Sequence, residues 1–344
     1  MPRAKHLRFI LPLPLMVCAQ PAPAATSWCT VPIEEARSAL DSHPFSLPPA
    51  DTQPHALADI HVEGTLHPSD SILFARHDFV LMSRAALAWR ADDDSAQFDI
   101  ARRLLIVWVD TYRPNLNPID ETSFDMLLDT FAILRERLAP TEREHVASWL
   151  DAWGWAYVDS IARLDRPNHS IWMNNWQSHR IKLITMIAAA TDDTRLFDRA
   201  RRLFRRQIEV NIHPDGETMD FVVRDALHYV VYDLDPLLRA ALVARGFSGE
   251  DWYSWETPDH ASLKRAVTWL VPYASGRMIH DEFVHSQVDY DAERAAAGVK
   301  GFKGLFDAHD ASETYWLASR FDANLETLAR SLGKPPDYLA ICGK

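Results

Sequence analysis

The chain lacks what would let it cross a membrane, wrap a nucleic acid or build a metal centre from thiolates. Beyond the first 25 residues no apolar run approaches the ~20 residues that a spanning helix needs. Lys and Arg number 36 against 48 Asp and Glu, and the formal charge of −12 argues against the basic face expected of a nucleic-acid binder. Net charge does not report the local field of a cleft, so an anionic polymer remains an admissible partner. No HExxH, Ser/His/Asp signature, glycine-rich phosphate loop or dinucleotide fingerprint occurs. His280, Asp281, Glu282 and His285 come nearest to a ligand set, but histidines five apart do not share a helical face. Neither a metal nor a cofactor is expected. The strict alternation that marks a strand is almost absent as well.

Cysteine is scarce, and its placement is informative. Arg3, Lys5 and Arg8 precede the apolar run Phe9 to Val17, which leads to Ala22-Pro23-Ala24-Ala25. That order is the pattern of a secretory signal peptide cut after Ala25, so residues 1–25 are read as a leader and the mature protein as periplasmic or secreted. Val17 before Cys18 fits a lipoprotein site poorly. Cleavage leaves only Cys29 and Cys342, almost at the two ends of the mature chain, and an even pair in an exported protein suggests a disulfide that ties the termini together.

What is present is helical periodicity. Ser71 to Trp89 and Ile100 to Val109 carry apolar bands, and Thr141-Glu142-Arg143-Glu144 reads as a capping box opening a helix through Val146, Leu150, Trp153 and Tyr157. Leu196, Phe197, Ala200, Leu203, Phe204 and Ile208 form one stripe, with Arg199, Arg202, Arg205 and Arg206 largely off it on a solvated face. Asp235-Pro236 is read as a helix start that Gly246 can end, and Gly333 with Pro335-Pro336 closes the segment Leu325 to Leu332. Roughly ten to twelve helices follow, with no linker or composition shift to divide residues 26–344. Successive helical hairpins of this kind form one all-α domain, either a solenoid or a closed α/α toroid. Twelve tryptophans are many for the length. Trp172, Trp176, Trp252 and Trp255 stand beside polar segments, where a flat ring can stack on a sugar.

Two segments concentrate chemistry. Asn174-Asn175-Trp176-Gln177-Ser178-His179 places Asn175 and His179 one helical turn apart on one face. Arg224, His228 and Tyr232 are spaced four and four, a polar stripe on a second helix, with Tyr229 beside it. Amide, imidazole, guanidinium and phenol together can neutralise a carboxylate, take a carbon-bound proton and protonate a leaving oxygen.

The order of the Asn-Asn pair, the arginine-rich helix, His213-Pro214-Asp215-Gly216-Glu217, Arg224 and Leu227-His228-Tyr229 resembles the alginate lyase family of α/α-toroid polysaccharide lyases. Thr111 to Ile119, with Asn115 and Asn117, and Glu282-Phe283-Val284-His285-Ser286 extend the similarity over roughly residues 60 to 320. The resemblance implies a single α/α toroid and β-elimination at a uronic acid of an anionic polysaccharide, with no metal. It implies that Asn175 and Arg224 neutralise the C6 carboxylate, that His179 or His228 takes the C5 proton, and that Tyr229 protonates O4. Tyr232 is the alternative to Tyr229. Asn174, Trp176, Trp172, Asn117, Tyr232 and His285 are the implied substrate contacts. The sequence departs from the family where Trp176 follows the Asn pair in place of a histidine, and where the arginine stands one residue out of register. A sugar-binding relative without activity and a toroid glycoside hydrolase using Asp120-Glu121 or Asp92 to Asp94 are the other readings.

Overall fold

The computed structural model describes residues 28–29, 33–42, 44–164 and 173–342. The expected leader, residues 1–25, and Trp172 lie outside them. Among the described residues there is no β-strand, only two isolated bridges, and thirteen α-helices, slightly more than the periodicity predicts. They are α1 (Ile33–Ser42), α2 (Asp70–Asp92), α3 (Ser95–Thr111), α4 (Asp125–Leu134), α5 (Pro140–Leu164), α6 (Asn175–Ala190), α7 (Thr194–Asn211), α8 (Met219–Arg224), α9 (Leu227–Ser248), α10 (Leu263–Ala274), α11 (Asp289–Ala296), α12 (Ser312–Ala318) and α13 (Glu326–Leu332).

The helices divide into two kinds by what they bury. In α4, α6, α9 and α12 nearly every side chain is buried, whereas α3, α7 and α10 bury one stripe and leave the other face wet. A helix buried all round has to be walled in by others. Accordingly α2, α4, α6, α9 and α12 follow one another as an inner ring, and α3, α5, α7, α10 and α13 pack outside them. This is the α/α toroid, and the short α8 and α11 belong to the loops at its rim.

Local chemistry corrects two sequence expectations. The fifth helix starts at Pro140, ahead of Thr141; Glu142 reaches back to the Ala139 N–H at 3.3 Å, so only the return half of the capping box is made. Proline at a first helical position loses nothing, because that N–H has no partner in any helix. Pro236 does the opposite of what was expected: it lies inside α9, which runs on through Gly246 to Gly249 at φ 74°. An interior proline removes one backbone bond and leaves the carbonyl four residues earlier, that of Tyr232, without its helical donor.

The inner ring does not close helix to helix. A 3-10 turn at Asp337–Ala340 packs against α1 and α2, Arg84 pairs with Asp337 at 3.0 Å, and Cys29 and Cys342 are joined by a disulfide of 2.05 Å across a separation of 313 residues. Beneath that bridge Asp129 accepts from Trp28 Nε1 at 2.9 Å and pairs with the buried Arg239. Burial pushes Asp129 up to about 6, against the pull of Arg239. Asp129 and the two sulfurs form the metal-ligand-like cluster found among the described residues, but the sulfurs are bonded to each other.

Replacing Cys29 and Cys342 by serine should cost about 2–5 kcal/mol, because the bridge restrains an unfolded loop of nearly the whole chain. Thermal unfolding with and without reductant checks this: the native melting temperature should fall on reduction and that of the double variant should not.

Candidate functional site

Asn174 caps α6, its side-chain oxygen accepting from Trp176 N at 3.1 Å. Extended backbone at the cap and an amide acceptor are what a helix start requires. Asn175 follows as the first residue of the helix, and both its backbone N–H and its Nδ2 donate to Asp220 of α8 at 2.7 Å. Asp220 is buried, and that burial raises it to about 6 although Asn175 and Arg224 hold it down. One of the two Nδ2 protons is thus committed to Asp220, which fixes the amide and leaves one proton for a ligand.

The predicted stripe Arg224, His228, Tyr232 is not one helix. Asp225 adopts φ 49°, in the left-handed region where Asp is among the few tolerated side chains, and α8 ends there. Arg224 is therefore free of the α9 register. Its guanidinium lies 3.8 Å from the centre of the Tyr229 ring and is paired with the buried Asp291. On the other side Arg294 of α11 donates to the Tyr229 hydroxyl at 2.6 Å and lies 3.7 Å from the same Asp291. Burial raises Tyr229, and both arginines oppose that rise. His228 turns away into an aromatic group with Tyr229, Phe283 and Phe302; its Nδ1 lies 3.4 Å from where a Cβ on Gly301 would stand. Burial lowers His228. Glu282 carries the start of α9 by accepting from Leu227 N at 2.9 Å and His228 N at 3.0 Å.

His179 is placed behind Tyr232, their ring centres 4.4 Å apart. Its Nδ1 lies 2.8 Å from Thr122 Oγ1, and Lys182 Nζ donates to that same oxygen at 3.0 Å and pairs with Asp125 at 2.6 Å. Lys182 can only donate to that oxygen, which keeps a second lone pair and its own proton, so the Thr122 hydroxyl can serve Nδ1 in either tautomer of the neutral ring. Nε2 is buried and finds no partner at hydrogen-bonding geometry, while the Tyr232 backbone favours the protonated ring. Burial foremost, and then Lys182, hold the imidazole well below its usual range. A buried, neutral histidine is badly placed to take a proton from a sugar and well placed to pack behind Tyr232.

Tyr232 is half-buried, and its hydroxyl makes no hydrogen bond among the described residues. Burial raises it strongly, while Arg76 and Arg294 act to lower it. The opposite wall is built by Asp120, which accepts from Val62 N at 2.7 Å and Glu63 N at 2.8 Å and meets His61 Nδ1 at 3.0 Å. Tyr290 Oη donates to the Gly64 carbonyl at 2.5 Å, joining α11 to that wall. Asn117 shapes a turn, its Oδ1 accepting from Ile119 N at 3.0 Å. Trp176 is half-buried under the Arg180 guanidinium, and exposed His285 leans on Asp225 at 2.8 Å. Asn175, Arg224, Tyr229 and Tyr232 are thus brought into one rim region, whereas Asn117 and His285 serve local turns.

Arg294, Arg76, Asp291 and Asp220 are candidate site residues that the sequence reading missed. Arg294 and Asp291 form an i, i+3 pair on α11, a spacing that by itself does not mark a site. The carboxylates proposed for a hydrolase are already occupied. Asp120 holds the 61–63 backbone, and buried Glu121 accepts from Tyr112 and Trp153 at 3.0 Å and from Tyr157. Asp94 caps α3 and Asp93 ends α2.

Residues 31–280 match the protein family described as alginate lyase. Solved structures of similar fold include an alginate lyase from Bacteroides ovatus, 15% identical, covering 90% of this chain and 92% of that one with a TM-score of 0.58. Alginate lyase A1-III from Sphingomonas species A1 is 14% identical over 93% of this chain and 98% of its own, TM-score 0.59. A histidine-to-alanine form of alginate lyase A1-III complexed with tetrasaccharide is 16% identical over 93% and 97%, TM-score 0.59. At such identities the likeness is one of fold. No curated protein matches the chain in sequence.

Glu282 supplies a test of how the rim is held. Burial raises it to about 7, so between the ordinary carboxylate range and pH 7 the folded protein keeps a proton that the unfolded chain has lost. Stability therefore falls as pH rises through that window. In Glu282→Gln the fall in urea midpoint between pH 5 and 7.5 should be smaller than in the unaltered protein; an equal fall would exonerate Glu282.

Proposed function

Because the chain belongs to the alginate lyase family, and is thereby a polysaccharide lyase, we propose that it cleaves a 1,4-linked polyuronate, alginate of mannuronan type or a glucuronan, by β-elimination. The observation that carries this reading is the unengaged Tyr232 phenol within the fields of Arg76 and Arg294 and braced by His179. A sugar carboxylate placed here meets guanidinium groups and the remaining Asn175 proton, which together stabilise the charge that develops when C5 loses its proton. The C5–H electron pair becomes the C4–C5 double bond, the C4–O4 bond breaks, and O4 takes a proton. When proton and leaving group lie on one side of the ring, Tyr232 can serve both, accepting at C5 as phenolate and returning the proton to O4.

A second assignment rests on Tyr229. Its hydroxyl accepts the Arg294 N–H at 2.6 Å, an arrangement that also stabilises a phenolate. On that assignment Tyr229 and Tyr232, 6.2 Å apart between ring centres, would divide base and acid for a substrate whose groups lie on opposite sides. Half-buried Trp176 offers the sugar a flat face in either case. We also place the protein outside the cytoplasm, after cleavage at Ala25, a setting in which the Cys29–Cys342 bridge persists.

Absorbance of the unsaturated product, followed on a panel of polyuronates, tests the activity. Tyr232→Phe should lower kcat by about 10²–10⁴-fold with binding retained. Tyr229→Phe should lower it much less, and the reverse order would hand the proton chemistry to Tyr229. Because Tyr232 is raised and His179 is held neutral by burial, kcat/KM should climb into the alkaline range with no limb from an imidazole near pH 6.5. New reducing ends without absorbance would mean hydrolysis and sink the reading.

A further inference from the structure

The arginine-rich helix has a use that the cleft does not absorb. In a chain of net charge −12, α7 carries six arginines against Asp198 and Glu209, and Arg195, Arg199, Arg202, Arg205 and Arg206 are all exposed. Two of them lie over indole rings of neighbouring elements: Arg195 over Trp155 at 5.8 Å and Arg205 over Trp255 at 5.3 Å. Ten helical residues separate these pairs, a track of about 15 Å.

At the second pair the surface is hollow. A cavity of about 360 Å³ is lined by Arg201, Phe204, Arg205, Glu250, Trp252 and Trp255, among others. Its floor is rigid, with buried Trp252 packed on Phe204 at 4.7 Å and donating to Glu250 at 2.9 Å. Arg201 grips Glu250 with two bonds of 2.8 and 2.6 Å, so that carboxylate is already neutralised. Arg205 makes no hydrogen bond or ion pair among the described residues; it lies in the field of Glu250, which it helps to keep charged, and exposed Asp251 shares the cavity wall, so a ligand carboxylate would be drawn by Arg205 against Asp251. Along α7 Arg205 stands six residues, about 9 Å, before the Asn211 that donates to Asp233 beside Tyr232, but on the exposed outer face of that helix, so the cavity lies on the outer wall and not among the inner-ring residues of the elimination site.

We propose that this face of α7 is a second, non-catalytic binding site for an anionic polysaccharide, in which Arg205 pairs with a uronate carboxylate and Trp255 stacks on a sugar ring. The proposal rests on the reading of the substrate as a polyuronate. An exposed guanidinium lying over an indole can swing out to a uronate carboxylate and uncover the ring for the sugar's apolar face, and each unit offers one of each. A chain held on the outer wall would raise the local concentration of cleavable polymer at the rim, and short fragments that cannot span both places would gain nothing.

The test is affinity electrophoresis in gels containing polymannuronate, alongside kinetics on the same polymer and on a trisaccharide. The double variant Arg205→Ala, Trp255→Ala should migrate with much less retardation and show a KM for the polymer raised about tenfold, the worth of about 1.4 kcal/mol. Its kcat and its trisaccharide kinetics should be unchanged. Arg205→Glu, at an exposed position that does not threaten folding, should lose retardation as well. Unchanged retardation in both variants overturns the proposal even if the enzyme is fully active. So does an equal loss when single-stranded DNA replaces the polyuronate, which would make the face a general polyanion surface. A protein that is retarded but yields no unsaturated product from any polyuronate would sink the elimination reading and leave this site standing.

Discussion

The contact between α6 and α9 is the constraint on which the rest depends. Both helices are buried almost all round, so most of the polar groups they carry find partners on the other helix or on an element packed against them. Ser178 of α6 donates to Asp233 of α9 at 2.5 Å, and Asn211 of α7 donates to the same carboxylate. Burial, with Asp220 adding repulsion, raises Asp233 to about 8, so at neutral pH the group can keep its proton and avoid an uncompensated interior charge. Lys182 of α6 finds Asp125 and Thr122 on the neighbouring wall. A slip of either helix would break these bonds together, and the rim residues at the helix starts inherit that rigidity.

Pro236 shows how the packing is turned toward the site. A proline inside a helix ordinarily costs about 3 kcal/mol or more through the lost bond and the ring clash. Here the carbonyl it releases belongs to Tyr232, the residue whose hydroxyl is unengaged, and the buried imidazole of His179 lies against that residue. The chain of Lys182, Thr122 and His179 then fixes the ring behind the phenol. Trp176 after the Asn pair does not by that fact leave the site without an imidazole, because His179 arrives from one turn later. It arrives as a brace, however, and on the proposed reading the proton chemistry falls to a tyrosine.

The fold was legible because it is written in period. Wide apolar bands in Ser71 to Trp89 and the stripe of α7 specify buried and half-buried helices by spacing alone. Boundaries were less legible where one residue type serves two purposes. Proline at 236 reads as a start by propensity and is tolerated inside because tertiary burial of α9 outweighs a local loss. The site was legible on α6 and α9, where the polar residues cluster, and illegible on α11. Arg294 and Asp291 sit in a glycine-interrupted stretch without helical period, and only the folded chain brings them to Tyr229, 65 residues earlier. Spacing could not choose between Tyr229 and Tyr232 either, since the choice turns on which hydroxyl is already spoken for.

Charge follows the same division between global and local. A surplus of carboxylates over the whole molecule would repel a polyuronate at long range, but screening confines that repulsion to about 8 Å at physiological salt. Inside that distance the partners of each group matter more than the sum. Asp220 is raised and tied to Asn175, Glu282 is raised and tied to two backbone N–H groups, and Asp291 lies between two arginines. Around Tyr229 and Asn175 these acids are thus raised or paired with arginines, and on the proposed reading Arg76, Arg224 and Arg294 set the field felt by an incoming carboxylate. An acidic protein can in this way present a cationic rim, provided that its acids are buried where their charge is suppressed and its arginines are held where theirs is not.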